Sequence, residues 1–189
     1  MSHKFNPEHI ERLLRQERHT ELSPEKVLRE AGLAENMVFA DIGCGPGFFT
    51  LPAAKIVGMH GIVFAVDTQT EMLLYLRDKM DPPQNIVLLK SDEDNIPIGD
   101  YEADLALLAF MLHETEDKVK FLKEVFRILN PGGTLLIVDW KKQKEEHGPP
   151  EEERLTEAQV TELLKEAGFK DFEQASLNNS HYKIIASKG

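Results

Sequence analysis

Short apolar runs alternate with stretches of helical periodicity along most of this chain. Met37 to Ala40, then segments 61–66, 86–90, 103–109 and 134–139, are near-continuous apolar runs of strand length, the pattern of strands buried on both faces. Between them lie helical segments. One begins at Phe48-Phe49-Thr50-Leu51, one spans 70–80, and one spans 117–129 with Val119, Leu122, Val125, Phe126 and Leu129 on its apolar face. Thr156-Glu157-Ala158-Gln159 is a capping box, followed by Val160, Leu163, Leu164 and Ala167 at helical spacing and by Gly168 as the stop. Two closing strands, 169–175 and 181–187, are joined by Leu177-Asn178-Asn179-Ser180 and predict an antiparallel hairpin at a sheet edge.

Two helices precede the first strand. Asn6-Pro7 reads as a cap with proline at the first helical position, followed by Ile10, Leu13 and Leu14 on one face; Ser23-Pro24 repeats that chemistry before Val27, Leu28, Ala31 and the stop at Gly32. The whole is an α/β fold: a doubly wound, Rossmann-like sheet of seven strands, mostly parallel, with helices on both faces and a short N-terminal helical addition. A single domain over 1–189 is expected, with residues 1–31 as a helical lid and 32–189 as the α/β core.

Composition narrows the classes. With 189 residues, 41% of them hydrophobic, the chain suffices for one buried core and not two. No apolar run approaches bilayer length, and Met1 to Glu8 lacks the basic-then-apolar pattern of a secretory signal. The single cysteine, Cys44, excludes an internal disulfide and a cysteine metal cluster; no metal is expected, and a cytoplasmic setting is. A net charge of −11 argues against a nucleic acid as partner. The charged run from Lys141 to Glu146 mixes both signs and reads as a solvated loop. The oligomeric state is left open.

Candidate chemistry starts at Asp41-Ile42-Gly43-Cys44-Gly45-Pro46-Gly47, between the first strand and the next helix. A strand that breaks into a glycine-rich turn and then a helix is how an α/β sheet grips an adenosine-bearing cofactor. The dinucleotide fingerprint needs its third glycine at position 48, which is Phe48. That offset and the acid Asp41 favour S-adenosylmethionine over NAD. Asp67 ends the second strand, where a carboxylate can accept bonds from both hydroxyls of a ribose. After the third strand, the acidic stretch Ser91-Asp92-Glu93-Asp94 offers a carboxylate to an adenine amine.

These features, with Val66-Asp67 followed by Glu71-Met72-Leu73, with Ala109-Phe110-Met111-Leu112-His113 and with Leu129-Asn130-Pro131-Gly132-Gly133, resemble the class I S-adenosylmethionine-dependent methyltransferases over about positions 33 to 189. The likeness is strongest to the small branch of ubiquinone/menaquinone-biosynthesis C-methyltransferases. It implies a seventh strand inserted antiparallel beside the fifth. It also implies S-adenosylmethionine as cofactor, with the loop Gly43-Cys44-Gly45 against the methionine portion, Asp67 at the ribose, Asp92 at the adenine edge and the backbone near Ala109 beside the methionyl amine; Asp41, Thr68, Met72 and Glu93 complete the expected cofactor-binding set.

The acceptor is less constrained. His113, just past the fourth strand, is the best-placed general base, with Glu114 and Asp139 as weaker candidates; His3, His9 and His19 reach the mouth if the N-terminal helices form a lid. An ordinary hydrogen-bonded histidine is the plainer reading of His113. No Asn-Pro-Pro-Tyr motif, no Asp-Asn pair after the fifth strand and no cysteine cluster is present, which leaves a small organic acceptor resting on Phe110, Met111 and Trp140. Met111 is equally a core residue. A binding or regulatory protein that keeps the cofactor site without chemistry is the alternative.

Overall fold

The computed structural model describes residues 10–92 and 95–189; Asn6-Pro7, His3, His9 and Glu93 lie outside them. The strands are β1 (Val38–Ile42), β2 (Ile62–Asp67), β3 (Ile86–Lys90), β4 (Ala103–Ala109), β5 (Leu129–Trp140), β6 (Lys170–Ser176) and β7 (His181–Ser187). They form one sheet in the order β3-β2-β1-β4-β5-β7-β6. The first five run parallel, while β7 lies antiparallel between β5 and β6. The expected seven-stranded architecture and the inserted seventh strand are both present.

Burial on both sides explains the unbroken apolar runs. In β4, Leu105, Leu107 and Leu108 are all without solvent exposure although they point to opposite faces. On one face, α6 (Lys118–Ile128) and α7 (Glu157–Ala167) pack over Ala106, Leu108, Leu135 and Ile137. The face α6 presents is Phe121, Leu122, Val125 and Ile128, while Val119 is only half-buried. Phe126 lies at the margin of that face, where its ring meets Phe169 at 5.1 Å. Asp117 caps the helix by accepting the Lys120 N–H. The capping box at Thr156 and Gln159 closes in both directions, and Gly168 stops α7 in the left-handed region at φ 105°.

The other face is covered by α3 (Pro24–Glu30), α4 (Thr50–Val57) and α5 (Thr70–Lys79). Among the described residues, three helices and not two precede β1: α1 (Ile10–Leu13), α2 (Gln16–Leu22) and α3. Ser23 gives no side-chain cap to α3; in the left-handed region at φ 45°, it is the joint between α2 and α3, with Pro24 in the first helical turn as expected. Val27 and Leu28 are buried in the core, and Glu30 pairs with Lys183 of β7 at 2.7 Å. The third helix is therefore part of the folded body. The segment Lys141–Pro150 is more ordered than a solvated loop. Buried Arg154 donates to the carbonyls of Lys141, Gln143, His147 and Pro149 and to the Glu145 carboxylate, and those five bonds fold the loop around one side chain. Among the described residues, no helix is long and apolar enough to cross a membrane.

Candidate functional site

Register brings the carboxyl ends of the central strands to one level. Ile42 pairs with Val66 of β2 and with Leu108 of β4, and Ala109 pairs with Val138 of β5. The next residues along each strand therefore emerge together: Gly43, Asp67, Ala109 and Asp139. This edge is where an open α/β sheet binds ligands.

The turn after β1 is fixed from below. The N–H groups of Gly43 and Cys44 both donate to the Val66 carbonyl, at 2.8 and 3.0 Å. Gly43 has φ 74°, and a Cβ on it would stand 3.1 Å from Cγ of Met111; at Gly47, φ is 96° and a Cβ would meet Leu76 at 2.6 Å. Both positions need the left-handed backbone and the missing side chain together. Cys44 is buried, and burial pushes its thiol pKa up, so it is a small apolar filler in this turn and not a reactive thiol.

Asp67 ties the turn to the tip of β2. One carboxylate oxygen accepts the Gly45 N–H and the other the Gln69 N–H, each at 2.8 Å. A carboxylate offers about four acceptor positions, so each oxygen keeps capacity for another donor. Burial raises the Asp67 pKa, against the lowering effect of those N–H groups and of Lys90. Lys90 donates to the Thr68 carbonyl and so pins the residue after Asp67. Met72 is buried on α5; Asp92 is exposed and bridges to Asn95 beyond β3. Asp41 lies within β1, which runs two residues past Ala40, and is buried beneath the turn. The Thr50 hydroxyl donates to it at 2.6 Å. Burial, with the Asp67 charge adding, raises its pKa to about 7 despite that bond.

Ala109 is half-buried at the end of β4, beside this turn. The next two residues then diverge. Phe110, held by its N–H to the Val138 carbonyl at 2.8 Å, takes φ 59°, an uncommon conformation for a bulky residue. Its ring lies 5.9 Å from Trp140 and 5.2 Å from His181, whose rings are 4.3 Å apart. Met111 turns instead toward Gly43 and the core. Of the three expected acceptor contacts, Phe110 and Trp140 thus meet in one aromatic group and Met111 belongs with the packing.

His113 lies in a short 3₁₀ turn, Leu112–Glu114. Its Nδ1 faces the Asp139 carboxylate at 2.9 and 3.1 Å, and both side chains are almost fully buried. Burial draws the imidazole pKa down, but the bond to Asp139, its charge, and the charges of Glu114 and Glu153 together hold it above the ordinary value. With Nδ1–H directed at a carboxylate, Nε2 carries the lone pair of the neutral ring. A carboxylate oxygen of Glu114 lies 3.9 Å from Nε2.

Two features of this edge carry no signal in the sequence. Leu13 of α1 reaches over the turn, with its Cδ1 at 3.9 Å from where a Cβ of Gly45 would stand. Arg18 of α2 places its guanidinium 4.6 Å from the Phe48 ring centre and 4.9 Å from that of Phe110. The His19 ring meets that of Phe48 at a 41° tilt, with centres 4.4 Å apart.

Residues 40–137 match the family model of a methyltransferase domain. A solved structure of a SAM-dependent methyltransferase from Aquifex aeolicus is 36% identical and superposes with a TM-score of 0.92, covering 98% of this chain and 100% of that one. A demethylmenaquinone methyltransferase of Staphylococcus aureus (strain MRSA252) is 30% identical over 115 residues, 61% of this chain and 48% of its own length. A ubiquinone/menaquinone-biosynthesis C-methyltransferase of Haemophilus ducreyi is 31% identical over 115 residues, 59% of this chain and 44% of its own length. The chain thus spans about half the length of the curated relatives it matches.

Proposed function

Because this chain belongs to the class I S-adenosylmethionine-dependent methyltransferases, we propose that it moves a methyl group in line from that cofactor to a small organic acceptor. When bound, the cofactor supplies an electrophilic methyl on a sulfonium, whose leaving group is neutral. Positioning therefore does much of the catalysis. The donor set fits such a ligand. Asp67 keeps acceptor capacity for ribose hydroxyls after bonding the Gly45 and Gln69 N–H groups, and the turn at Gly43–Gly45 carries no side chain that would block a close approach, apart from the buried Cys44. We assign Asp41 to bracing this turn from beneath, Thr68 and Met72 to the ribose flank, Asp92 to the adenine edge, and Ala109 to the methionyl amine.

The observation that carries the catalytic reading is His113 held at Nδ1 by buried Asp139. The pairing leaves Nε2 of the neutral ring as a base at the end of β4, able to take a proton from a phenol, enol or acidic carbon. Asp139 acts through His113 as a positioning residue. The N-terminal segment divides in this reading: α1 and α2 cover the site and exclude water, while α3 anchors them to the body. A quinone-like acceptor is one reading, drawn from the names of the relatives. A cytoplasmic setting without nucleic acid fits a chain of net charge −11 with one cysteine.

The test is transfer of a labelled methyl group to a panel of quinone precursors, phenols, amines and thiols, run with wild type and His113→Ala. Transfer that depends on His113 for protonated acceptors supports the reading. Tight cofactor binding with no transfer to any acceptor would leave a binding protein.

A further inference from the structure

Arg18 and Arg154 present a contrast. Both guanidiniums lie against aromatic rings, Arg154 at 5.0 Å from Trp140 and Arg18 between Phe48 and Phe110. Arg154 is saturated by four carbonyls and a carboxylate. Arg18, among the described residues, has one acceptor, the Leu13 carbonyl at 3.0 Å, and no carboxylate at ion-pair distance. A guanidinium has five N–H donors in a planar fork. Drawing that charge out of water without an anion is unfavourable, since a buried cation is normally paired.

Arg18 spans two rings, Phe48 just past the glycine turn and Phe110 at the end of β4. Phe110 beneath Arg18 also faces His181 and Trp140, at the ends of β7 and β5, whereas Asp67 and Asp92 stand at β2 and β3. In the sheet, β1 and β4 separate β2 from β5, roughly 14 Å at the usual strand spacing. The positive field extends the same way: burial first, and then the Arg18 charge, lower His181 to about 4, keeping that ring neutral. Burial also pulls Arg18 itself down to about 10.

We infer that Arg18 selects the acceptor: it pairs with a carboxylate on the molecule to be methylated, whose body lies along Phe110 and the ring group beyond it. The inference rests on the methyl-transfer reading above and adds the charge of the substrate. A carboxylate matches the guanidinium fork with two parallel bonds. In a chain of net charge −11, a local cation of this kind is what lets an acid approach at all.

Binding tests this without an identified acceptor. Protein loaded with S-adenosylhomocysteine is titrated with benzoate and with its neutral isostere benzamide, followed by ligand-observed NMR, while affinity for S-adenosylhomocysteine is measured calorimetrically on the same samples. Benzoate should bind at least about tenfold more tightly than benzamide, and Arg18→Gln should erase that preference, the scale of one charge-assisted hydrogen bond. Arg18→Lys, which keeps the charge and loses the fork, should keep part of it. S-adenosylhomocysteine affinity should stay within about twofold in both variants, which also shows that they fold. Equal binding of acid and amide, or an unchanged preference in Arg18→Gln, overturns the inference while leaving cofactor binding intact. A variant that loses S-adenosylhomocysteine affinity instead overturns it by assigning Arg18 to the cofactor's own carboxylate.

Discussion

His113 and Asp139, 26 positions apart, meet as a buried pair with Nδ1 at 2.9 Å from the carboxylate. The register of β4 and β5 sets Ala109 beside Val138, and the 3₁₀ turn that follows β4 then brings His113 to Asp139. For a base at Nε2, the consequence is a pH limb. The folded pKa lies above the ordinary 6.5, so the ring is protonated at and below that pH and becomes a base only above it. With an acceptor that must lose a proton, turnover should rise with pH along a limb centred above 6.5. His113→Ala should lower turnover by about 10²–10⁴-fold. Asp139→Asn should shift the limb downward and reduce its height, because the amide removes the charge and permits the other tautomer. Superimposable pH profiles for wild type and His113→Ala would remove the residue from the mechanism.

Asp67 is expected to act twice, on the glycine turn and on the ribose. Asp67→Ala removes the acceptor of the Gly45 and Gln69 N–H groups together with bonds to the ligand. Affinity for S-adenosylhomocysteine should fall by about ten- to several-hundred-fold, as calorimetry would measure. Amide exchange should quicken around Gly45 and not in the sheet. An unaltered dissociation constant would make Asp67 a brace of the turn and nothing more.

Asp41 makes stability depend on pH. Its folded pKa, raised from 3.8 to about 7 by burial and by the Asp67 charge, means that the folded state holds the proton more tightly than the unfolded chain. The associated stability is complete below about pH 4 and is lost as pH rises through 7, on the order of a few kcal/mol in all. Asp41→Asn, which is neutral throughout, should lack that decline. Urea unfolding of both proteins at pH 5 and pH 8 checks it, and parallel losses in the two would contradict the assignment.

The N-terminal helices should separate by role. Leu28 has no exposure, and Leu28→Ala should lower stability by about 2–5 kcal/mol while leaving the specific activity of the folded protein unchanged. Leu13, resting over Gly45, contributes less to the core. Leu13→Ala should leave the melting temperature nearly unmoved and speed cofactor release in stopped-flow experiments. Equal effects of both substitutions on release would merge the cover and the anchor into one unit.

The α/β frame was legible in the sequence because burial on both faces writes strands as unbroken apolar runs, and glycines mark the turns where backbone approach matters. β3 and β4 fall at their expected residues, and the capping box at Thr156 sets the start of α7. The face of α6 was displaced toward Phe121 and Ile128, since periodicity gives the spacing of a stripe and the packing against α7 chooses its centre. Arg154 is not legible in the sequence because its five acceptors are mostly backbone carbonyls, which carry no residue identity. Asp139 was visible as an acid, but its partner is set by strand register across 26 positions. Arg18 stood among many charged N-terminal residues, and only the fold lays it on Phe48 and Phe110.

Phe110 and Met111 are neighbours in the chain that leave the end of β4 in opposite directions. The left-handed backbone at Phe110 turns its ring toward Trp140 and His181, while Met111 goes beneath the glycine turn. A single peptide bond thus divides the ring group from the packing beneath the glycine turn. If the acceptor is held as proposed, substitutions at Phe110, Trp140 and His181 should change which acceptor is used and leave S-adenosylhomocysteine affinity as it is, whereas substitutions at Met111 should reach the glycine turn.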